Sequence, residues 1–416
     1  MNSLQEIKPF SYRGQLTIPA SKSYLQRAIA IAALCEEPCV IQNFYPSHDA
    51  LAALTIAESL GASISKEKDQ IKIQKGVENF DKVILNCGES GLSTRMFSPI
   101  AALFNRKSTI IGHGSLLQRP IDMIEDALNQ FGVKTQSNSG RIPLEIYGPM
   151  RPSHARIDGS ESSQLLTGLL IALPYLKGDS LIYVDNLKSK PYIQMTLDIL
   201  QDFGVEIVHE HYKRFEIRGS QRPTAKHYFV EGDWSGAALH AVGAAISGEV
   251  ELKGLNPNSA QADRAILDAL ALCGAQIDVQ QAVIRISKQQ LNAFQFDATH
   301  CPDLFPPLAV LAAACEGTSE IIGVSRLTHK ESNRALTLQS EFAKLNIRVD
   351  LDGDIMRIGK SEVCGGAVDS HNDHRIAMAC ATLATLSSSA VTIHNSQAVN
   401  KSYPTFFEDL ALISEM

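Results

Sequence analysis

The stretch ESLGASISKEKDQIKI, residues 58–73, decides the fold of this 416-residue chain because its pattern recurs along the sequence. It contains the end of an amphipathic helix, then Gly61, then a strand of alternating apolar and polar residues, a polar turn and a second strand. Helices commonly end at a residue in the left-handed conformation, which glycine and asparagine tolerate. The stretch therefore predicts a helix followed by a β-hairpin.

Four further copies of this pattern follow at nearly constant spacing. From Gly61 onward, the pivot residues are 71, 72, 70 and 72 positions apart. Such regular spacing indicates a repeated structural unit, and the alternative is chance similarity of common helix–hairpin sequences. The copies are NQFGVKTQSNSGRIPLEI, QDFGVEIVHEHYKRFEI, ALCGAQIDVQQAVIRI and AKLNIRVDLDGDIMRI, with pivots Gly132, Gly204, Gly274 and Asn346.

A sixth pivot would fall near position 417, after the helical stretch FFEDLALISEM, but no hairpin follows that stretch. The segment KPFSYRGQLTIP, residues 8–19, can supply the missing sheet material. We therefore predict an α/β protein of six similar units in two domains of three. The predicted domains are residues 16–230, and residues 1–15 together with 231–416.

Composition, net charge and cysteine spacing indicate a globular protein and argue against several other classes of protein. Apolar residues make up 44% of the chain and charged residues 20%, as in ordinary globular proteins, and the net charge of −7 argues against a broad nucleic-acid surface. The eight cysteines form no CxxC pair, which predicts reduced, buried thiols and a cytoplasmic protein. We expect no signal peptide, no membrane span and no cofactor. We also expect no catalytic metal, since His371 and His374 lack a zinc-binding pattern.

Cationic and hydroxyl side chains gather where a strand is followed by a helix. Lys22 and Ser23 lie at a helix start, where free backbone N–H groups favour an anion, and Arg27 lies one turn further on the same face. The alternative is an ordinary serine cap beside a solvated lysine. Comparable joints carry Gly91, Arg119 ahead of a proline at the first helical position, Ser162, Ser163, Gln164, Ser189 and Tyr192.

The second half of the chain adds acidic groups to the cations. The hexapeptide HKESNR, residues 329–334, places Lys330, Glu331 and Arg334 together. Two like charges four residues apart on a helix repel, so we expect an anion between Lys330 and Arg334. Further candidates at or near helix starts are Asp303, His374 and Arg375 (after the N-cap Asp373), and Lys401. These groups predict a cleft between the two domains that binds polyanionic ligands.

Seven motifs together resemble the enolpyruvyl transferase family and, within it, the EPSP synthases, from about Gln15 to Glu408. They are SKSYLQRA, LQRPIDMIEDAL, DGSESSQLLT, SKPYIQMTL, VEGDWSGAA, HKESNR and NDHRIAMA. The resemblance implies two domains of three βαβαββ units, the inside-out α/β barrel of this family. It also implies transfer of the enolpyruvyl group of phosphoenolpyruvate to the 5-hydroxyl of shikimate 3-phosphate, on the pathway to chorismate and aromatic amino acids. The expected partners are these two small molecules, and we expect a monomer.

The resemblance also implies roles for individual residues. Lys22, Ser23 and Arg27 would bind shikimate 3-phosphate, with Lys22 also reaching phosphoenolpyruvate and counting among the catalytic residues. Asp303 and Glu331 would be the acid–base residues, with Lys330 and His374 beside them. The remaining shikimate 3-phosphate contacts would be Ser162, Ser163, Gln164, Ser189 and Tyr192, and the phosphoenolpyruvate contacts Gly91, Arg119, Arg334, Arg375 and Lys401.

The sequence departs from the family pattern at a few positions. Glu89 and Leu92 replace a polar neutral pair around Gly91, Arg326 stands at a common asparagine, and Thr328 stands at a common arginine. Two alternative functions remain open. One is the sister transferase that uses UDP-N-acetylglucosamine, although the cysteine typical of its loop is absent from residues 111–120. The other is a non-catalytic phosphometabolite-binding relative.

Overall fold

The protein is described from a computed structural model, which covers residues 3–75, 81–281, 283–328 and 330–415. The α-helices of these residues are numbered α1 to α12 in chain order. They span Lys22–Ala32, His48–Ser59, Gly91–Ala101, Asp122–Gln130, Gln164–Ala172, Lys190–Asp202, Trp234–Ser247, Ile266–Leu272, Phe305–Ala314, Arg334–Lys344, His374–Leu383 and Phe406–Leu412. Short 3₁₀ helices lie at Gly114–Gln118, Leu173–Tyr175, Ala262–Ala265, Pro302–Leu304, Val324–Leu327 and Ser396–Lys401.

The strands of the same residues are numbered β1 to β24. They span Leu4–Ile7, Ser11–Thr17, Cys39–Gln42, Ser63–Glu67, Gln70–Gln74, Lys82–Asn86, Lys107–Ile111, Lys134–Ser137, Leu144–Tyr147, His154–Asp158, Ser180–Asp185, Ile207–Glu210, Arg214–Ile217, His227–Phe229, Glu249–Lys253, Gln276–Val279, Val283–Ser287, Gln295–Asp297, Thr318–Ile322, Val349–Asp352, Ile355–Gly359, Gly366–Asp369, Val391–His394 and Ser414–Glu415.

The chain divides into two compact units, Lys22–Val230 and Met1–Ser21 with Glu231–Met416. The sequence placed the first crossing after residue 15, which lies inside strand β2. Since β2 pairs along its length from Arg13 to Thr17 with β15 of the second unit, the crossing comes later, between Ser21 and Lys22. The second crossing lies between Val230 and Glu231.

Each unit contains three sheets built on one plan. In the unit Lys22–Val230 the strand orders are β14-β3-β5-β4, β6-β7-β9-β8 and β10-β11-β13-β12. In each sheet the first two strands are parallel, and the other two extend the sheet in antiparallel pairs. The other unit has the orders β2-β15-β17-β16, extended by β24 at its edge, then β18-β19-β21-β20 and β1-β23-β22. The predicted fold class, with three α/β repeats in each of two units, is confirmed.

The five pivot residues all take the left-handed conformation predicted for them. Gly61, Gly132, Gly204 and Gly274 have φ of 112°, 73°, 76° and 89°, and Asn346 has φ of 63°. Each follows one of the helices α2, α4, α6, α8 and α10 and precedes a hairpin, from β4–β5 to β20–β21. The reversal of chain direction after these helices is therefore set locally by residues that tolerate positive φ.

The N-terminal segment completes two sheets that are otherwise formed by the C-terminal half of the chain. Strand β1 pairs antiparallel with β23, in the place that a hairpin strand takes in the other sheets. Strand β2 precedes α1 but pairs parallel with β15, which follows α7. Conversely, β14 precedes α7 but pairs parallel with β3, which follows α1. The strand that begins the first repeat, β2, thus belongs to a sheet of the unit that contains β15. The strand that begins the repeat of α7, β14, belongs to a sheet of the unit Lys22–Val230.

Three helices in each unit are almost wholly buried. All residues of α3 and α11 are buried, as are nearly all of α1, α5, α7 and α9. Helices that are apolar on every face pack inside a protein, and α7, α9 and α11 pack against one another. Among the described residues, none of the helices combines the length and apolar character needed to cross a membrane.

Candidate active site

The N-termini of the buried helices α9 and α11 position the acidic candidates of the second unit. Asp303 lies in the short 3₁₀ turn that leads into α9. Asp373 caps α11, as predicted, because its carboxylate accepts the backbone N–H of Arg375 at 3.0 Å. His374, the first residue of α11, is buried, with its Nδ1 3.9 Å from an Asp373 oxygen. The free N–H groups at such helix ends favour negative charge.

Arg334, at the start of α10, is the centre of an ion-pair network. Its Nε donates to Asp373 at 2.9 Å, and its two terminal nitrogens donate to Asp303 at 2.8 Å and to Glu331 at 2.7 Å. The Arg334 side chain is only 1% exposed. One guanidinium therefore holds the two predicted acid–base carboxylates, Asp303 and Glu331, next to each other.

The predicted anion between Lys330 and Arg334 is a carboxylate of the chain itself. Asp303 Oδ1 lies 3.3 Å from Lys330 Nζ and 2.8 Å from the Arg334 guanidinium. Helix α10 begins at Arg334, so Lys330 lies in the loop before the helix rather than on the helix face that the sequence suggested. The two cations converge because both contact Asp303.

Two further cations adjoin this network. Arg375 lies 3.7 Å from Asp303 and donates to the backbone carbonyl of Ser235 at 2.9 Å. Lys401, at the end of a 3₁₀ helix, lies 3.7 Å from Glu331. Each acid–base candidate thus has a further cation near the carboxylate oxygen that Arg334 does not contact.

These charges set the protonation states of the site. Burial would raise the pKa of Asp303, but Lys330, Arg375 and Arg334 hold that pKa well below its ordinary value. Burial lowers the pKa of Lys330, partly offset by Asp303. Burial would also lower the pKa of Arg375, yet the carboxylates around it leave that pKa raised. Asp303 is therefore ionised throughout the neutral pH range.

A further buried carboxylate lies beside this network. Asp263, in the 3₁₀ helix Ala262–Ala265, is 1% exposed and accepts a hydrogen bond from the hydroxyl of Ser235. Burial and the nearby Asp303 raise the pKa of Asp263 to about 6, although Arg375 opposes the change. No sequence pattern identifies this residue, because one aspartate at the start of a helix resembles an ordinary solvated group.

In the unit Lys22–Val230, Lys22 and Arg27 lie on helix α1. Lys22 Nζ lies 3.0 Å from a carboxylate oxygen of Asp49, at the start of α2. Arg27 is 1% exposed and donates to the backbone carbonyls of Ser23 at 2.8 Å and Tyr192 at 3.2 Å. It also donates to two threonine hydroxyls, and burial lowers its pKa to about 10. Arg27 thereby joins the predicted ligand residues of α1 and α6.

Gly91 and Arg119 are in direct contact. Gly91 is the first residue of α3, and a Cβ atom built on it would lie 2.3 Å from an Arg119 terminal nitrogen. The Arg119 Nε is buried without a hydrogen-bond partner among the described residues. The prediction that Pro120 begins a helix is wrong, because α4 begins at Asp122 and Arg119 has extended backbone after the 3₁₀ helix Gly114–Gln118. The ring of Pro120 permits this extended residue before it.

The serines and glutamine predicted at helix α5 do lie at its entrance. Ser163 is the N-cap residue, and the Ser162 hydroxyl accepts the backbone N–H of Gln164 at 3.2 Å. Ser189 caps α6 in the left-handed conformation, and its carbonyl accepts the N–H of Tyr192 at 3.1 Å. These side chains lie at the N-termini of two helices that contact each other near their starts, where the hydroxyls of Thr167 in α5 and Thr196 in α6 are hydrogen-bonded at 3.1 Å.

Two buried residues that no sequence motif identifies, Arg95 and Gln26, hold these helix ends in place. Arg95 is 2% exposed and donates to the carbonyl of Pro120 at 3.0 Å, and more weakly to the carbonyl of Gly91 and the Gln164 side chain. Gln26 donates to the hydroxyls of Ser90 and Ser93 at 2.8 and 2.9 Å. Only their place on helices with many apolar residues could have signalled them, since polar side chains on a buried helix must be hydrogen-bonded.

Glu89 and Leu92, which depart from the family pattern, also have defined positions. Glu89 accepts a hydrogen bond from Ser115 at 3.3 Å, and its carboxylate lies against Gly114, in the 3₁₀ helix that precedes Arg119. Leu92 is buried in the first turn of α3. Across the described ranges, no three His, Cys, Asp or Glu side chains are grouped so as to hold a metal ion.

Comparison of the sequence with known proteins shows the family to which the chain belongs. The family model for EPSP synthase (3-phosphoshikimate 1-carboxyvinyltransferase) matches residues 7–410. The chain belongs to the EPSP synthase family. It is 38% identical to the 3-phosphoshikimate 1-carboxyvinyltransferase of Clostridium novyi, over 97% of this chain and 96% of that protein, and 38% identical to that of Clostridium acetobutylicum, over the same shares.

Solved structures agree with this family assignment. The EPSP synthase of Acinetobacter baumannii superposes with a TM-score of 0.82 at 26% identity, covering 100% of this chain and 98% of that one. The enolpyruvyl transferase NikO of Streptomyces tendae has a TM-score of 0.78 at 17% identity, with the same coverage, and supports the fold alone.

Proposed function

We propose that this EPSP synthase family member transfers the enolpyruvyl group of phosphoenolpyruvate to the 5-hydroxyl of shikimate 3-phosphate. The products are 5-enolpyruvylshikimate 3-phosphate and phosphate, on the pathway to chorismate and the aromatic amino acids. One observation carries the chemistry: Arg334 binds Asp303 and Glu331 together, and Lys330, Arg375 and Lys401 surround them. The reaction needs both an acid–base pair and cations for anionic substrates.

The reaction proceeds by addition and then elimination. Protonation of C3 of phosphoenolpyruvate makes C2 electrophilic, and the 5-hydroxyl oxygen adds to C2 as it loses its proton. The tetrahedral intermediate then loses a proton from the new methyl group, the C2–O bond to phosphate breaks, and the enol double bond returns. One group must therefore give a proton to C3 and later remove one from it.

We assign the proton transfer at C3 to Glu331 and the hydroxyl proton to Asp303. An acid needs a proton to give, and the low pKa of Asp303 keeps that carboxyl ionised at neutral pH. An ionised Asp303 suits acceptance of the hydroxyl proton instead. One oxygen of Glu331 accepts a hydrogen bond from Arg334, and the other lies 3.7 Å from Lys401. Two cations therefore lie beside this carboxyl group as it loses and regains its proton.

The predicted binding residues divide by ligand. We propose that Lys22, Ser23 and Arg27 bind shikimate 3-phosphate together with the residues at the starts of α5 and α6. Arginine suits phosphoenolpyruvate because its planar fork binds carboxylate and phosphate through two parallel hydrogen bonds. The proposed shikimate 3-phosphate contacts at α5 and α6 are Ser162, Ser163, Gln164, Ser189 and Tyr192, and the proposed phosphoenolpyruvate contacts are Gly91, Arg119, Arg334, Arg375 and Lys401, with Lys330 and His374 nearby.

Phosphate release from phosphoenolpyruvate tests the proposal. We expect release that depends on shikimate 3-phosphate, with formation of the enolpyruvyl ether. Release only with UDP-N-acetylglucosamine would instead identify the sister activity. Tight binding of phosphoenolpyruvate and shikimate 3-phosphate without any release would identify a non-catalytic relative. A monomeric state and a cytoplasmic location stay predictions, which size-exclusion chromatography with light scattering and cell fractionation check.

A further inference from the structure

Asp263 is a buried carboxylate that the proposed chemistry does not use. Its side chain comes from the 3₁₀ helix between β15 and α8, and Oδ1 has no hydrogen-bond partner among the described residues. Burying a charged carboxylate costs several kcal/mol unless nearby groups compensate, so its presence beside the site needs a reason. The only hydrogen bond described for its side chain comes from the Ser235 hydroxyl.

Ser235 links Asp263 to Arg375. Its backbone carbonyl accepts the Arg375 guanidinium at 2.9 Å, and its backbone N–H donates to Asp233, the N-cap of α7, at 3.0 Å. Ser235 is therefore held at two points, by Asp233 through the main chain and by Asp263 through the side chain. Arg375 Nε is buried without a partner among the described residues, so the Ser235 carbonyl is the main fixed contact of this guanidinium besides Asp303.

We propose that Asp263 is a positioning residue that fixes Arg375 through Ser235. The hydrogen bond to Asp263 anchors the first turn of α7, and the carbonyl of that turn sets the direction of the Arg375 guanidinium. This inference rests on the proposed function, in which Arg375 binds phosphoenolpyruvate. A guanidinium that is free to turn loses the paired geometry that binds a carboxylate or phosphate well.

The kinetic test uses four variants of the full-length enzyme. Asp263→Ala removes the acceptor, Ser235→Ala removes the donor, and Asp263→Asn removes the charge but keeps an oxygen that can accept the Ser235 hydroxyl. Asp268→Ala, at an exposed aspartate of the adjoining helix α8, is the matched control. The readouts are kcat and the separate KM values for phosphoenolpyruvate and shikimate 3-phosphate.

We expect Asp263→Ala and Ser235→Ala each to raise KM for phosphoenolpyruvate about tenfold, the effect of one lost buried hydrogen bond. The KM for shikimate 3-phosphate should stay within about twofold in both. Asp263→Asn should recover most of the loss, and Asp268→Ala should match the parent. Equal losses in Asp263→Ala and Asp263→Asn, unchanged KM values, or parallel losses for both substrates would each overturn the proposal.

A second measurement does not depend on turnover, so it separates this inference from the proposed function. A crystal structure of Ser235→Ala, which should fold even if Asp263→Ala does not, should show the Arg375 guanidinium displaced from the carbonyl of residue 235. An Arg375 in its present position, still bonded to that carbonyl, would overturn the proposal. Absence of shikimate-dependent phosphate release in the parent protein would contradict only the proposed function.

Discussion

His240 makes the stability of the unit that contains it depend on pH, and the size of the effect follows from its surroundings. The ring is fully buried on α7 between Tyr12, Tyr403 and Phe406, and neither ring nitrogen has a hydrogen-bond partner among the described residues. Burial lowers the pKa of His240 from 6.5 to about 3. The folded protein therefore keeps this imidazole neutral, whereas the unfolded chain takes up a proton below pH 6.5.

The direction of the pH effect follows from proton uptake. Since only the unfolded state gains a proton between pH 6.5 and about pH 3, the stability due to neutral His240 is complete above pH 6.5 and is lost as the pH falls. The loss is about 1.4 kcal/mol for each pH unit in this window. Lowering the pH from 6.5 to 5 should therefore remove about 2 kcal/mol of unfolding free energy through this residue alone.

The variant His240→Phe isolates this contribution. Phenylalanine fits the aromatic surroundings and does not titrate, while every other titrating group is common to both proteins. The single tryptophan, Trp234, is buried on the same helix, so its fluorescence during urea unfolding reports on the unit that contains His240. The parent should lose about 2 kcal/mol more than the variant between pH 6.5 and pH 5. A difference below about 0.5 kcal/mol would refute the reasoning.

Three further predictions concern the site. Glu331→Gln should lower kcat about 10²- to 10⁴-fold, the usual contribution of an acid–base group, with both substrates still bound in calorimetry; turnover near that of the parent would remove Glu331 from this role. Gly91→Ala places a Cβ 2.3 Å from the Arg119 guanidinium, which must move, so KM for phosphoenolpyruvate should rise about tenfold or more in steady-state assays; an unchanged KM would mean that Arg119 does not contact this substrate. Asp373→Asn leaves the buried Arg334 charge without its fully buried partner and should cost about 3–5 kcal/mol in Trp234-monitored urea unfolding; a loss below about 1 kcal/mol would show that Asp303 and Glu331 compensate.

The repeat architecture could be predicted from the sequence because its signals are local. A glycine or asparagine at the end of an amphipathic helix, followed by alternating strands, determines a helix–hairpin unit within about 20 residues. Gly61 and Asn346 show the two versions of that signal. Counting the units predicts that a hairpin is missing, but the place beside β23 is filled by strand β1, Leu4–Ile7, and not by the predicted segment 8–19, whose strand β2 pairs with β15 and β24.

The exchange of β2 and β14 could not be predicted in the same way. Gly14 pairs with Val250, more than 200 positions away, and no local pattern distinguishes that parallel partner from β3. Which strand pairs with β2 is decided by which buried surfaces pack beneath the strands, and this is a property of the folded units. The predicted boundary after residue 15 therefore falls inside β2, which pairs with β15.

The candidate site could be predicted only in part. Charged residues close together in sequence, such as Lys330, Glu331 and Arg334, were found as a motif, and Asp303 joins them in the structure. Asp263 and Arg95 were missed because each is a single charged residue with partners from distant elements. A sequence displays the type of a side chain, but whether water or protein surrounds it depends on tertiary packing.

The strand exchange has a consequence for synthesis on the ribosome. Residues Lys22–Val230 emerge early, yet their first sheet is incomplete until β14 is made at the end of this segment. Strands β1 and β2 are translated first but must wait for β23 and β15. At about 5–20 residues per second, the nascent N-terminus carries unpaired strand edges for on the order of tens of seconds. The polar and charged residues Gln5, Glu6 and Arg13 in those strands suit a segment that must stay unaggregated in the meantime.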